Sequence, residues 1–97
     1  MKAEFEPAAR QELVASIRWY LTQAGTVQAG AFEREVARVI GLLSRLPELG
    51  TVGVNNTRSI PLRRYPYSLH YRLEPDLIRV LAVAHHSRRP GYWAKRG

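Results

Sequence analysis

Residues 67–84 constrain the fold more than any other stretch. From Tyr67 to Glu74 the chain alternates, with Tyr67, Leu69, Tyr71 and Leu73 on one side and Ser68, His70, Arg72 and Glu74 on the other. A period of two is the pattern of a strand with one buried face. Glu74-Pro75-Asp76 reads as a turn with proline at its favoured second position. Leu77 to Ala84 (LIRVLAVA) is then apolar almost throughout, as expected for a central strand covered on both faces.

The first half supplies the covering layer. Lys2 to Glu6 (KAEFE) reads as a short strand, and Pro7 suits the first turn of a helix, where its missing N–H has no intrahelical partner to lose. Ala9, Leu13, Ile17, Tyr20 and Ala24 recur at helical spacing, Trp19 and Leu21 widen the stripe, and Gly25 is a natural stop. A second helix is expected from Thr26 to about Leu46. Ala29, Phe32, Val36, Val39, Ile40 and Leu43 lie on its apolar face, Glu33, Arg34, Glu35 and Arg38 on the other, and Pro47 closes it. Two amphipathic helices with so short a link fold back as an antiparallel pair. Trp19, Tyr20 and Phe32 are expected in the core.

Between the helices and the alternating strand, Leu49 to Thr57 reads as loop, with Gly50, Gly53, Asn55 and Asn56 as breakers. Arg58 to Arg64 reads as a strand in which Pro61, unable to donate to a ladder, marks an edge or a bulge. The expected fold class is therefore α+β. A short N-terminal strand and an antiparallel helical hairpin pack on an antiparallel, three-stranded meander (β-α-α-β-β-β), all in one domain spanning 1–97. Its concave side is expected to gather Arg63, Arg64, His70, Arg72 and the histidines and arginines of the tail.

Charge narrows the partners. Residues 1–50 carry six basic and six acidic side chains, whereas residues 51–97 carry nine basic against Glu74 and Asp76, so the net charge of +7 sits wholly in the second half. Thirteen of the fifteen basic residues are arginine, whose planar fork suits phosphate and carboxylate. A nucleic acid or an acidic protein fits such a surface; so does a basic face that is merely solvated. There is no cysteine, which removes disulfides and thiolate metal sites. His70, His85 and His86 lack carboxylates at ligand spacing, so no metal or other cofactor is expected. With no apolar run near bilayer length and no hydrophobic signal core, the expectation is a cytoplasmic protein that does not engage a membrane.

The tail concentrates chemistry: His85-His86-Ser87-Arg88-Arg89-Pro90-Gly91-Tyr92-Trp93 brings imidazole, guanidinium and aromatic groups together. In company with Pro66-Tyr67-Ser68-Leu69-His70-Tyr71-Arg72 and the helical hairpin before it, this ending resembles the RelE/ParE superfamily, the toxin halves of bacterial type II toxin–antitoxin pairs. The resemblance runs from Phe5 to Trp93. It implies a cognate antitoxin as partner, in a hetero-oligomer, and one of two targets. ParE-type members, associated with plasmid stabilization, inhibit DNA gyrase by binding. RelE-type members are mRNA interferases that cut mRNA on the ribosome, with cationic groups and a proton donor and acceptor at the scissile phosphate.

Residue by residue, the ParE-like branch is favoured. The lysine positions of the RelE pattern fall near Ser59 and Pro61, its third-strand arginine on Ser68 and its fourth-strand arginine near His86, while Tyr92 matches the terminal tyrosine. If the chain were a nuclease, His86, Arg88 and Tyr92 would be its catalytic residues. As a gyrase inhibitor it would use Arg63, Arg64, His85, Arg88, Arg89 and Trp93 as target contacts. Adjacent strand residues point to opposite faces, so His85 and His86 are not expected at one site. Tyr92 and Trp93 fit equally well a tail that folds back to cap the sheet.

Overall fold

A computed structural model describes residues 1–96. Its elements are β1 (Lys2–Phe5), α1 (Pro7–Ala24), α2 (Thr26–Arg45), β2 (Thr51–Val52), β3 (Thr57–Pro61), β4 (Tyr67–Glu74) and β5 (Leu77–His85), with one 3₁₀ turn at Val54–Asn56. The α+β order read from the sequence holds, and β4 keeps its expected ends. The sheet is larger than a meander: five strands in the order β1-β5-β4-β3-β2. β1 runs parallel to β5, from Lys2 opposite Leu77 to Phe5 opposite Val80, so the sheet is mixed rather than antiparallel. Part of the expected 49–57 loop is strand as well, because Thr51 and Val52 pair with Ser59 and Arg58.

β3 stops at Pro61, short of the expected Arg64. Pro61 pairs with Ser68 on one side, while β2 reaches only Arg58 and Ser59 on the other. The proline thus sits where the outer edge of β3 is free and no donor is needed.

The helices join through a single residue. Gly25 has φ 91° and donates its N–H to Tyr20 and Leu21, ending α1, while its carbonyl accepts from Ala29 at 3.1 Å and starts α2. An L-residue is strained at that φ, so glycine is what permits so abrupt a reversal. α2 buries Ala29, Phe32, Val36, Val39 and Leu43, one stripe at helical spacing. Phe32, Val36, Val39 and Leu43 pack with Tyr67, Leu69, Tyr71, Ile78 and Val83 of the sheet, and Leu13, Ile17 and Tyr20 of α1 border the cluster.

Trp19 departs from expectation: it is 56% exposed. Tyr20 takes the inward position, stacked on Phe32 at 4.9 Å, and a helix turns about 100° per residue, which swings Trp19 outward. In β5 every residue from Val80 to Ala84 is buried, as its composition requires. An irregularity opposite His70 and Tyr71 leaves Leu81 as an extra residue in that strand.

Tyr71 shows how tightly the loop before β3 is fastened. Its hydroxyl donates to the Pro47 carbonyl and accepts from the Gly50 N–H, both at 2.8 Å. A Cβ on Gly50 would lie 2.6 Å from that hydroxyl and 2.9 Å from the Ser59 carbonyl, so only glycine fits.

Candidate functional site at the loop end of the sheet and the C-terminal strap

The antiparallel register brings the β3–β4 loop and the end of β5 to one end of the molecule. His86 donates its N–H to the Pro66 carbonyl at 2.8 Å, and Leu62 closes the loop by donating to the Tyr67 carbonyl at 2.9 Å. Within this loop Arg64 has φ 69°, a left-handed conformation that non-glycine residues adopt rarely and at a cost of roughly 1 kcal/mol or more. Glu35 of α2 holds the loop in place. One of its oxygens accepts the Arg63 N–H at 2.7 Å, while both face Arg38 in a paired hydrogen bond, each at 2.8 Å. The Arg38 hydrogen bonds, helped by Arg63 and opposed by burial, hold the Glu35 carboxyl below its usual range. Arg34, Arg38, Arg63 and Arg64 line one recess of about 370 Å³ around that carboxylate.

Beside the recess lies an aromatic cluster. Tyr65 meets Tyr20 at 5.4 Å and Phe32 at 5.2 Å, both edge-on, and Tyr67 meets Phe32 at 5.1 Å. His85 sits edge-on to Tyr67 at 5.0 Å. Its Nδ1 accepts the Ser87 N–H at 3.0 Å, which leaves Nε2 to carry the proton of the neutral ring. Trp19, Tyr20, Pro66, Tyr67 and His85 border a groove of about 380 Å³ on the helical side.

At the β5 edge that β1 leaves free, the tail forms a strap anchored on Glu12 of α1 and running from there onto the other face of the sheet. β1 pairs β5 only as far as Val80. Beyond that point the Val83 N–H is left to a side chain, and Glu12 Oε1 accepts it at 3.1 Å. The same carboxylate accepts the Tyr92 hydroxyl at 2.7 Å and Arg96 Nη1 at 2.9 Å. Arg88 lies 4.0 Å from its Oε2, with its guanidinium 4.0 Å from the centre of the Tyr92 ring. Burial, then the bond to Glu12, push the Tyr92 hydroxyl up to about 12.

Further along, Trp93 stacks on His70 with ring centres 3.5 Å apart. Burial lowers His70 to about 4, against the pull of Glu12 and with a small push from His86. Arg72 ties the strap down by donating to the carbonyls of Ala94 at 3.2 Å and Arg96 at 3.0 Å. Among the described residues, the buried indole nitrogen of Trp93 has no hydrogen-bond partner.

The residues singled out from the sequence are thus divided. His85 faces the helical side, next to Tyr67, whereas His86 pairs with Ser68 Oγ at 2.9 Å on the opposite face. Of the catalytic set, Arg88 and Tyr92 meet at Glu12 while His86 is engaged elsewhere. Arg63 and Arg64 do not join His70 and Arg72 on the open face as expected. The β3–β4 loop turns them toward α2, because Glu35 captures the Arg63 backbone. Arg89 is exposed, and Trp93 folds back as a cap. Glu12, Arg34, Arg38 and Arg96 carry the geometry and were not singled out. Glu12 gave no signal, since a single carboxylate on a helix looks solvated until the β5 edge and the tail arrive around it.

Comparison with known proteins adds the following. A family model described as "ParE toxin of type II toxin-antitoxin system, parDE" matches residues 3–90. A solved structure described as "Chromosomal ParDE TA system from P. aeruginosa" contains a similar chain, with TM-score 0.77 and 20% sequence identity. The match covers 88% of this chain and 95% of that one, a likeness of fold. Among curated proteins nothing matches.

Proposed function

This chain belongs to the ParE toxin family of type II toxin–antitoxin systems, and from that membership we propose that it acts by binding DNA gyrase and is neutralised by a cognate antitoxin. The observation that carries a binding mode is the state of Tyr92. A general acid works best with a pKa near the operating pH, whereas this hydroxyl is raised to about 12 and already donates its proton to Glu12. Its ring serves instead as a platform under Arg88. His86 is likewise engaged by Ser68.

Arg88, Arg89 and His85 at the β5 end, with Arg63 and Arg64 on the neighbouring loop, form the contact set. Trp93, folded over His70 on the other face, supports the tail that carries Arg88 and Arg89. Arginine forks are suited to carboxylates and to phosphates alike, and gyrase bound to DNA offers both. The antitoxin is expected to lay an apolar segment along the helical side and an acidic one along the basic half. The cytoplasm is the working compartment that such a target implies. No helix among the described residues is long and apolar enough to cross a membrane.

A supercoiling assay with purified gyrase tests the reading. Wild-type protein should abolish supercoiling, and Arg88→Ala with Arg89→Ala should weaken inhibition about tenfold or more. Tyr92→Phe, if it folds, should retain inhibition. Undiminished supercoiling together with codon-positioned cuts in a translating lysate, lost in Tyr92→Phe, would overturn the proposal in favour of a ribosome-dependent mRNA endonuclease.

A further inference from the structure

We propose that the recess between α2 and the β3–β4 loop is a docking site for an acidic peptide segment of a partner protein, its carboxylates held by Arg34, Arg63 and Arg64. Arg63 and Arg64 belong to the contact set above, and the proposal deepens that reading by naming the chemistry they take. Four arginines and one glutamate line the recess, a balance of four positive against one negative, of which Arg38 and Glu35 are already paired. Glu35 spends both oxygens on Arg38 and on the Arg63 N–H. Among the described residues no acidic side chain lies within ion-pair distance of Arg34, Arg63 or Arg64.

These arginines are exposed, so solvent screens much of their repulsion, and an entering anion gains from all of them at once. The loop is held in this arrangement, with Arg63 pinned through its backbone and Arg64 kept at φ 69°. The side chain of Arg63 therefore stays available while its main chain is fixed. Strain of this kind persists where the surroundings over-determine it, often at binding sites.

The shape favours a peptide over a nucleic acid. A single strand is gripped by exposed aromatic faces along an open basic groove. Here Tyr65, the aromatic residue of the recess, is packed edge-on against Tyr20 and Phe32. The space is an open recess of about 370 Å³ confined to one helix and one loop, a local site rather than a track. Carboxylate side chains entering such a recess can be met by paired N–H donors.

Fluorescence anisotropy with a labelled oligo-glutamate peptide, its oligo-glutamine counterpart and a single-stranded oligonucleotide provides the test. The glutamate peptide should bind full-length protein and the glutamine one should not. Arg34→Gln and Arg64→Gln should each weaken binding about tenfold, the loss of one charge-assisted hydrogen bond. Both variants should melt like wild type. Arg18→Gln, on the exposed side of α1, should leave binding unchanged. Failure of the glutamate peptide to bind overturns the proposal. So does equal binding by the variants, or an oligonucleotide that displaces the peptide and is lost with the same arginines. Because no gyrase is present, a negative result here leaves the supercoiling assay to decide the target independently.

Discussion

The two faces of the sheet are covered by opposite kinds of chemistry. On the helical face Phe32, Val39, Leu43, Leu69 and Val80 are essentially inaccessible to water, and contact among them is non-directional apolar burial. Around the β5 edge and onto the other face, the short strap of Tyr92 to Arg96 is held by donors and acceptors: Glu12 of α1 against Tyr92 and Arg96 at the edge, then Arg72 against two carbonyls and one ring stack. Apart from Tyr71, whose hydroxyl is bonded to Pro47 and Gly50, the first face tolerates apolar side chains of suitable volume. The second depends on particular atoms meeting. One layer therefore sets the stability of the fold, and the other fixes the course of the tail and seats Arg88 over the Tyr92 ring.

The largest expected effect lies on the apolar face. Phe32 packs against Tyr20, Tyr65 and Tyr67 at centroid distances of 4.9 to 5.2 Å. Phe32→Ala should cost about 3–5 kcal/mol through lost burial and a cavity, read as the change in urea midpoint. It should also loosen Tyr65 and the loop beside it. A loss below about 1 kcal/mol would mean that the helices are not seated on the sheet as described.

A smaller and more local effect is expected at the strap. Glu12→Gln keeps the shape of the side chain but replaces one acceptor oxygen with a donor, facing Tyr92, Arg96 and the Val83 N–H. Bonds to a charged group contribute about 1.5–3 kcal/mol, so a loss of about 2 kcal/mol is expected. Amide hydrogen exchange should rise sharply at residues 92–96 and little in α2 or β4. Uniform acceleration across both faces would erase the distinction between them.

These two layers were unequally legible in the sequence. Periodicity revealed β4, β5 and both helices because burial repeats at a fixed spacing, and Phe32 and Leu69 could be placed from their neighbours alone. β2 was missed because two residues offer no period, and their pairing with β3 is decided by the fold around Tyr71 and Gly50. The parallel partnership of β1 with β5 was missed for a related reason: Lys2–Phe5 and Leu77–Val80 are joined only in space. The strap was half legible. Trp93 as a cap was one of two readings of the tail, but its contact with His70 and the convergence on Glu12 link positions far apart in sequence. Arg34 and Arg38 looked like the solvated side of a helix, and only the Arg63 backbone bond to Glu35 makes that side one wall of a recess.

The finest distinction between the faces is their response to acid. His70 is stacked under Trp93 and lowered to about 4 from an ordinary 6.5. Between those two values the unfolded chain binds a proton that the folded chain does not, so His70 makes stability fall as pH drops from 6.5 towards 4. Allowing for the partial exposure of the ring, the effect is about 1 kcal/mol. Glu12 and His86 are the titratable neighbours that act on this ring, in opposite directions. Glu35 and Glu74 are held below their usual range and add stability that is lost at still lower pH. They are common to wild type and variant, and cancel in a comparison. His70→Phe preserves a ring beneath Trp93 and removes the proton. Melted at pH 7 and at pH 5, wild type should lose more stability than the variant. Equal losses would mean that the imidazole remains hydrated, and that the strap does not close over this face of the sheet.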